Sequence, residues 1–317
     1  MCRATVLSLV LLFVSACGRQ DAASQSVSIL WIQPLRDHPV HKLMQAGFLQ
    51  RCAKAGISCE VVGNPSATNF DVSATIVLAD AALSRQQYAA VAVYSTDPAI
   101  YPYIAKLARE GFPVLTWHRL AQPDEIPGLK ASVGHEVTQA AIDAALAMGQ
   151  ALAGSGTIAV TQGSFNALEN RMAADFAAQI RTRFPAIELL EPQLEGFEPS
   201  AAKAKAIAIL QGNPAVTGAF STTGNGAETW AGAKRTAHRD IKIISMDYTR
   251  QNLDLVKGGD VYAIVAQPLY EEGAAVADIG AQLARGEPVA LRNILPARIV
   301  TAADLAPYYD ILFSAGQ

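Results

Sequence analysis

A chain of 317 residues is about twice the usual length of one domain, and its 51% hydrophobic share is enough to bury two cores. Its 25 lysines and arginines against 28 aspartates and glutamates leave a net charge of −3 with both signs dispersed, which removes the electrostatic basis of nucleic-acid binding. No apolar run reaches the roughly 20 residues of a membrane-spanning helix, which excludes a helical integral membrane protein.

Met1, Cys2 and Arg3 open the chain, residues 6–14 are apolar, and Val14-Ser15-Ala16-Cys17 closes the run. That length suits the core of a signal peptide and is too short for a span. Small residues just before a cysteine resemble a bacterial lipobox, in which the cysteine thiol is lipidated and becomes the first residue of the mature protein. Residues 1–17 therefore read as a lipoprotein signal peptide with Cys17 as the lipid anchor, and 18–26 as a tether. A plain secretory signal is the alternative. Either way only the N-terminus touches a bilayer. Cys52 and Cys59 lie seven residues apart across a helix-to-strand turn. In an oxidising compartment they form either a disulfide or two buried thiols.

Short β-type runs then alternate with segments of helical period. Residues 27–33, 58–62, 90–94 and 113–118 read as buried strands, and 40–54, 73–85 and 98–110 as helices. This is a βαβ pattern with a parallel sheet. The stretch 120–130 carries Pro123, Pro127 and Gly128 and reads as a boundary. Beyond it, strand candidates at 156–161, 187–190, 216–221, 241–246 and 261–266 alternate with helices such as 166–184 and 201–211. A helix over 271–285 and a strand over 289–295 follow. Two doubly wound lobes result, and a ligand cleft is expected between the carboxyl ends of their strands.

At this point the chain resembles the type I periplasmic binding proteins of ribose-binding type. The pieces that carry the resemblance occur in order: His38-Pro39 then Gly47, Gly111-Phe112-Pro113-Val114, Gly163-Ser164-Phe165-Asn166 with Arg171, Ser245-Met246-Asp247, and Ala266-Gln267-Pro268. The resemblance implies an α/β fold of two parallel-sheet lobes joined by a three-crossover hinge, with crossings near 120–132, near Gln267 and near 295–298. The N-terminal lobe would hold 27–120 plus 269–294, and the C-terminal lobe 133–266 plus 298–317. It also implies a monomer in the periplasm, anchored by lipid or soluble. Such a protein captures a sugar or similar small polar ligand and hands it to the permease of an ABC importer.

The resemblance places Arg171, Asp247 and Gln267 at the ligand. A guanidinium fork suits paired hydroxyls or a carboxylate, a carboxylate accepts from neighbouring hydroxyls, and an amide both donates and accepts. Their structural alternatives are a surface arginine, a helix cap and a hinge brace. Arg119 keeps the family pattern, whereas His118 stands where aspartate is common, either as a ligand contact or as a brace of the crossover. The first loop offers His38 and His41 where relatives place asparagine and aromatics. Stacking candidates are Trp31, Trp117, Trp230 and, best placed at a strand end, Tyr94. The loop 221–226 brings Thr223 and Asn225 to a strand end, as polar ligand contacts or as a helix cap. The excess of arginine and histidine over Asp247 leans toward a sugar acid or other anion.

Competing classes fare less well. Neither Gly-x-Ser-x-Gly nor Gly-x-Gly-x-x-Gly after the first strand is present, and no metal-ligand spacing occurs, so no enzyme, cofactor or metal is expected. A repressor of similar lobes would carry a DNA-binding helix pair where this chain has its signal. A binding protein that presents its ligand to a membrane sensor would have the same lobes and remains the alternative to import.

Overall fold

The computed structural model describes residues 27–316. Its first run of elements is β1 (Ser28–Gln33), α1 (Pro39–Ala55), β2 (Ser58–Gly63), α2 (Val72–Arg85), β3 (Ala90–Tyr94), α3 (Tyr101–Arg109), β4 (Val114–Trp117) and β5 (Ala131–Gly134). The second is α4 (Val137–Ala151), β6 (Ser155–Gln162), α5 (Ala167–Arg183), β7 (Ala186–Leu189), β8 (Gln193–Leu194), α6 (Pro199–Gly212), β9 (Val216–Ser221), α7 (Gly226–Thr236), β10 (Lys242–Met246), α8 (Arg250–Lys257) and β11 (Ala263–Ala266). The chain closes with α9 (Leu269–Ala284), β12 (Arg292–Ile294), β13 (Arg298–Val300) and α10 (Ala306–Ser314).

These strands form two sheets, ordered β2-β1-β3-β4-β5-β12 and β7-β6-β9-β10-β11-β13, with β8 beside β6. Among the described strands only β13 runs antiparallel to its neighbour. Both cores of the sheets follow the doubly wound order 2-1-3-4-5, which leaves a crevice at the carboxyl ends of the strands. The reason is visible in β1, buried on both faces: Ile29 and Trp31 join one core cluster and Leu30 and Ile32 the other. In the second lobe Phe176 of α5 stacks on Phe220 of β9 with centroids 4.1 Å apart.

The first crossing between lobes lies later than the sequence suggests. β5 pairs with β4, and Lys130 N donates to Val114 O, so 120–130 is a loop within the first lobe and 131–134 belongs to its sheet. The chain leaves that sheet after Gly134. The other crossings fall at 267–268 and 295–297. α9 thus returns to the first lobe, where it packs on α1. The two backbones approach so closely that a Cβ on Gly273 would sit 1.9 Å from Met44 O, and one on Gly47 2.0 Å from Tyr270 O. That contact fixes the helix bearing Glu272 beneath the cleft.

His38 opens α1, accepting from Val40 N on Nδ1, with Pro39 in the first turn; Gly56 at φ 67° ends it. Directly beyond, a disulfide joins Cys52 of α1 to Cys59 of β2, with Cα atoms 6.2 Å apart. Among the described residues no helix is long and apolar enough to cross a membrane.

Candidate functional site

The loops at the carboxyl ends of β1, β3, β4, β6, β9 and β10 converge on a cavity between the lobes. His38, His41, Tyr94, Thr96 and His118 line it from the first lobe; Glu169, Thr222, Thr223, Gly224 and Asp247 line it from the second, and Gln267 from the hinge. Phe70 and Phe197 add apolar faces. The lobes stand close together: Ala167 N donates to Thr96 O at 3.2 Å, and His38 meets Phe197 edge to face at 6.2 Å. The cavity holds about 50 Å³, well below the roughly 300 Å³ at the low end of ligand pockets, so a solute enters only if the lobes part. A bigger hollow of about 860 Å³ lies behind the hinge and shares only Gln267 with the cleft.

His118 and Asp247 occupy equivalent places, one residue past β4 and one past β10. Each has a left-handed backbone, φ 70° and 73°, which is rare for a residue with a side chain and turns both side chains into the cleft. His118 is held from below by Glu272 of α9, which accepts from its backbone N and lies 3.4 Å from Nδ1. Burial alone would lower the imidazole pKa, but the Glu272 carboxylate outweighs it and the shift is upward. The ring also stacks on Tyr94, centroids 5.5 Å apart. Asp247 Oδ1 accepts from Gln267 Nε2 at 2.8 Å. Burial raises the Asp247 carboxyl to about 6, against the pull of His118 and Gln267.

His38 and His41 shift the other way. Burial lowers His38 to about 4 and His41 well below its ordinary value, with the charges of His38 and His118 adding to the latter shift. Because His38 Nδ1 accepts a backbone N–H, its proton resides on Nε2. Three buried polar atoms among the cavity residues, His41 Nδ1, Thr96 Oγ1 and Gln267 Oε1, have no partner in the protein. Unmet hydrogen-bonding atoms converging on one space are what a polar ligand would satisfy.

Several residues expected at the ligand lie elsewhere. Arg171 is on the outer side of α5, its side chain 60% exposed, bound to Asp175 Oδ2 at 2.5 Å and Thr138 Oγ1 at 2.9 Å. Arg119 turns to Glu125 and to the Tyr101 hydroxyl, at 2.5 and 2.6 Å. Trp31, Trp117 and Trp230 are fully buried in the cores, the first two stacked with centroids 3.9 Å apart. Asn225 accepts from Thr223 Oγ1 and lies behind the wall. Cys17 lies outside the described residues.

What reaches the cleft from α5 is Glu169. It stands three residues after the cap Asn166 and accepts from Gly163 N, Ser164 N, Asn166 Nδ2 and Thr222 Oγ1. Burial lifts it to about 7 against those donors. Asn-x-x-Glu is the pattern of a capping box, and that signal in the sequence marks Glu169 as turned back toward the helix start. Phe70 and Phe197 lie in loops and gave no periodic signal.

Residues 29–288 match the family model described as a periplasmic binding protein domain. Among solved structures, a carbohydrate transporter solute binding protein from Agrobacterium radiobacter, in complex with D-arabinose, is 18% identical with a TM-score of 0.83, covering 92% of this chain and 99% of that one. GanP, a glucose-galactose binding protein from Geobacillus stearothermophilus, is 20% identical with a TM-score of 0.81, covering 89% and 99%. The sugar-binding protein of a sugar ABC transporter from Bacillus halodurans is 24% identical with a TM-score of 0.78, covering 89% and 100%. No curated protein sequence matches the chain.

Proposed function

The chain belongs to the periplasmic binding protein domain family, and from that premise we propose that it captures a small hydroxylated solute of the sugar class between its lobes and delivers it to an ABC importer. The observation that carries this reading is the set of buried polar groups, Asp247, Gln267, His41 and His118, that meet at the strand ends of both lobes around unmet hydrogen-bonding atoms. Asp247 and Gln267 would accept from and donate to ring hydroxyls, while Tyr94, Phe70 and Phe197 would cover the apolar face of a sugar. The structural neighbours described as binding arabinose, glucose and galactose support a sugar over other polar solutes.

Delivery requires that the importer tell loaded protein from empty. Crossings at 134–137, 267–268 and 295–297 let the lobes rotate, and a ligand that touches both favours the closed form by its differential affinity. The test is a thermal-shift screen of the mature protein against neutral sugars, polyols, amino sugars and sugar acids. A ligand that binds only the folded form raises the melting temperature, by an amount corresponding to about 2.7 kcal/mol at a hundred times the dissociation constant. Absence of any shift across the panel would overturn the sugar reading.

The disulfide and the N-terminal residues support export with a lipid anchor. Cys17→Ser is expected to move the protein from the membrane pellet to the soluble periplasmic fraction. Retention in the pellet would refute Cys17 as the anchor.

A further inference from the structure

Resting on the reading of the cleft as a sugar-class site, we propose that it selects a solute carrying a protonated amine on a hydroxylated skeleton, such as an amino sugar, over the neutral sugar and the sugar acid of the same skeleton. The case begins with charge. Among the described residues no lysine or arginine lines the cavity, whereas Glu169 and Asp247 both do. The two arginines of the sequence pattern are engaged by Asp175 and by Glu125, away from the cleft. Burial lowers His38 and His41 and so favours their neutral forms, and His118 pairs with the Glu272 carboxylate. When Glu169 and Asp247 are ionised, the cavity carries two carboxylates, and His118, the one lining residue whose shift favours a positive charge, is already paired with Glu272 behind it.

Hydrogen-bond polarity points the same way. One Nε2–H of Gln267 is given to Asp247 Oδ1, and the Gln267 atom with no partner at all is the acceptor Oε1. Thr223 donates its hydroxyl proton to Asn225, and Thr222 donates its own to Glu169, so both present lone pairs. An ammonium offers three donors and no acceptor, which fits a wall of acceptors better than a carboxylate, which offers none. The aromatic faces of Phe70, Tyr94 and Phe197 add a cation–π surface at a desolvated site. Burial holds the carboxyls of Asp247 and Glu169 above their ordinary range, and a bound cation would reverse that shift, so cation binding and carboxyl ionisation reinforce one another. A carboxylate ligand would meet repulsion from both carboxylates and from these lone pairs, with His38 and His118 alone to offset them.

The experiment is calorimetry of the mature protein with matched sets: glucose, glucosamine and glucuronate; galactose, galactosamine and galacturonate; and mannose with mannosamine. In at least one set the amine is expected to bind at least about tenfold more tightly than the neutral sugar, with the acid undetectable. Asp247→Asn, which keeps the shape and tolerates the left-handed backbone, should erase the amine preference and leave residual neutral binding. Equal or tighter binding of the neutral member in every responsive set overturns the amine selection and leaves the sugar reading intact. Preference for the acid overturns it as well. Silence from all sets overturns the sugar reading and this one together.

Discussion

Asp247→Ala is expected to weaken binding of the cognate solute by about 3 kcal/mol, more than a hundredfold, while Arg171→Ala changes it by less than about 0.5 kcal/mol. The contrast follows from position. Asp247 is 3% exposed, aimed into the cavity by its left-handed backbone and braced by Gln267, so its removal deletes a charged acceptor and strands an amide. Arg171 is largely in solvent and paired with Asp175 four residues on, an arrangement worth only a few tenths of a kcal/mol. Alanine in a left-handed conformation costs the fold about 1–2 kcal/mol, so the variant should be measured well below its melting temperature. Isothermal titration of both variants checks this, and an equal loss in the two would mean that α5 presents its other face to the ligand.

Gly224→Leu is expected to cost about 2 kcal/mol of binding, roughly thirtyfold, and to abolish the compaction that ligand produces in small-angle scattering. A Cβ at Gly224 would lie 2.5 Å from Val40 Cγ2 on the opposite lobe and 2.6 Å from Asp247 Oδ2. Glycine is therefore required by the closeness of the lobes. A leucine there wedges the cleft and displaces the carboxylate at once. Undiminished affinity together with normal compaction would show that the lobes do not close over this loop.

The fold was legible because both sheets are buried on both faces, so their strands stand out as short β-branched runs between helices. Among the elements that escaped, with the short β8 and the closing β13 and α10, was β5, four residues directly after a Pro- and Gly-rich stretch, where punctuation outweighed pattern. Its hydrogen bonds to β4 decide its membership, and such pairing is non-local. The crossing at 267–268 coincides with one of the motifs that carry the family resemblance, Ala266-Gln267-Pro268, while the one at 295–297 was expected only as what that resemblance implies.

In the site, residues directly following strands were readable: Asp247, His118 and Gln267 are fixed by where β10, β4 and β11 end. Residues on a helix were not, because facing depends on phase. At 3.6 residues per turn, Arg171 is rotated about 200° from Glu169, so a two-residue difference exchanges cleft for solvent. The lean toward an anionic ligand rested on Arg119, Arg171 and three histidines; both arginines are turned away and burial lowers His38 and His41, so that lean loses most of its support. Arg119 follows the left-handed His118, and that turn sends it toward Glu125 and Tyr101 and away from the cavity.

The central claim is that the solute binds between the lobes, and a co-crystal structure with whichever sugar raises the melting temperature most tests it directly. The account predicts one molecule enclosed at the strand ends, with Asp247 and Gln267 within hydrogen-bond distance of it and Tyr94 or Phe197 against its apolar face. A molecule seated instead in the hollow behind the hinge, against Arg298 and Tyr308, would contradict it.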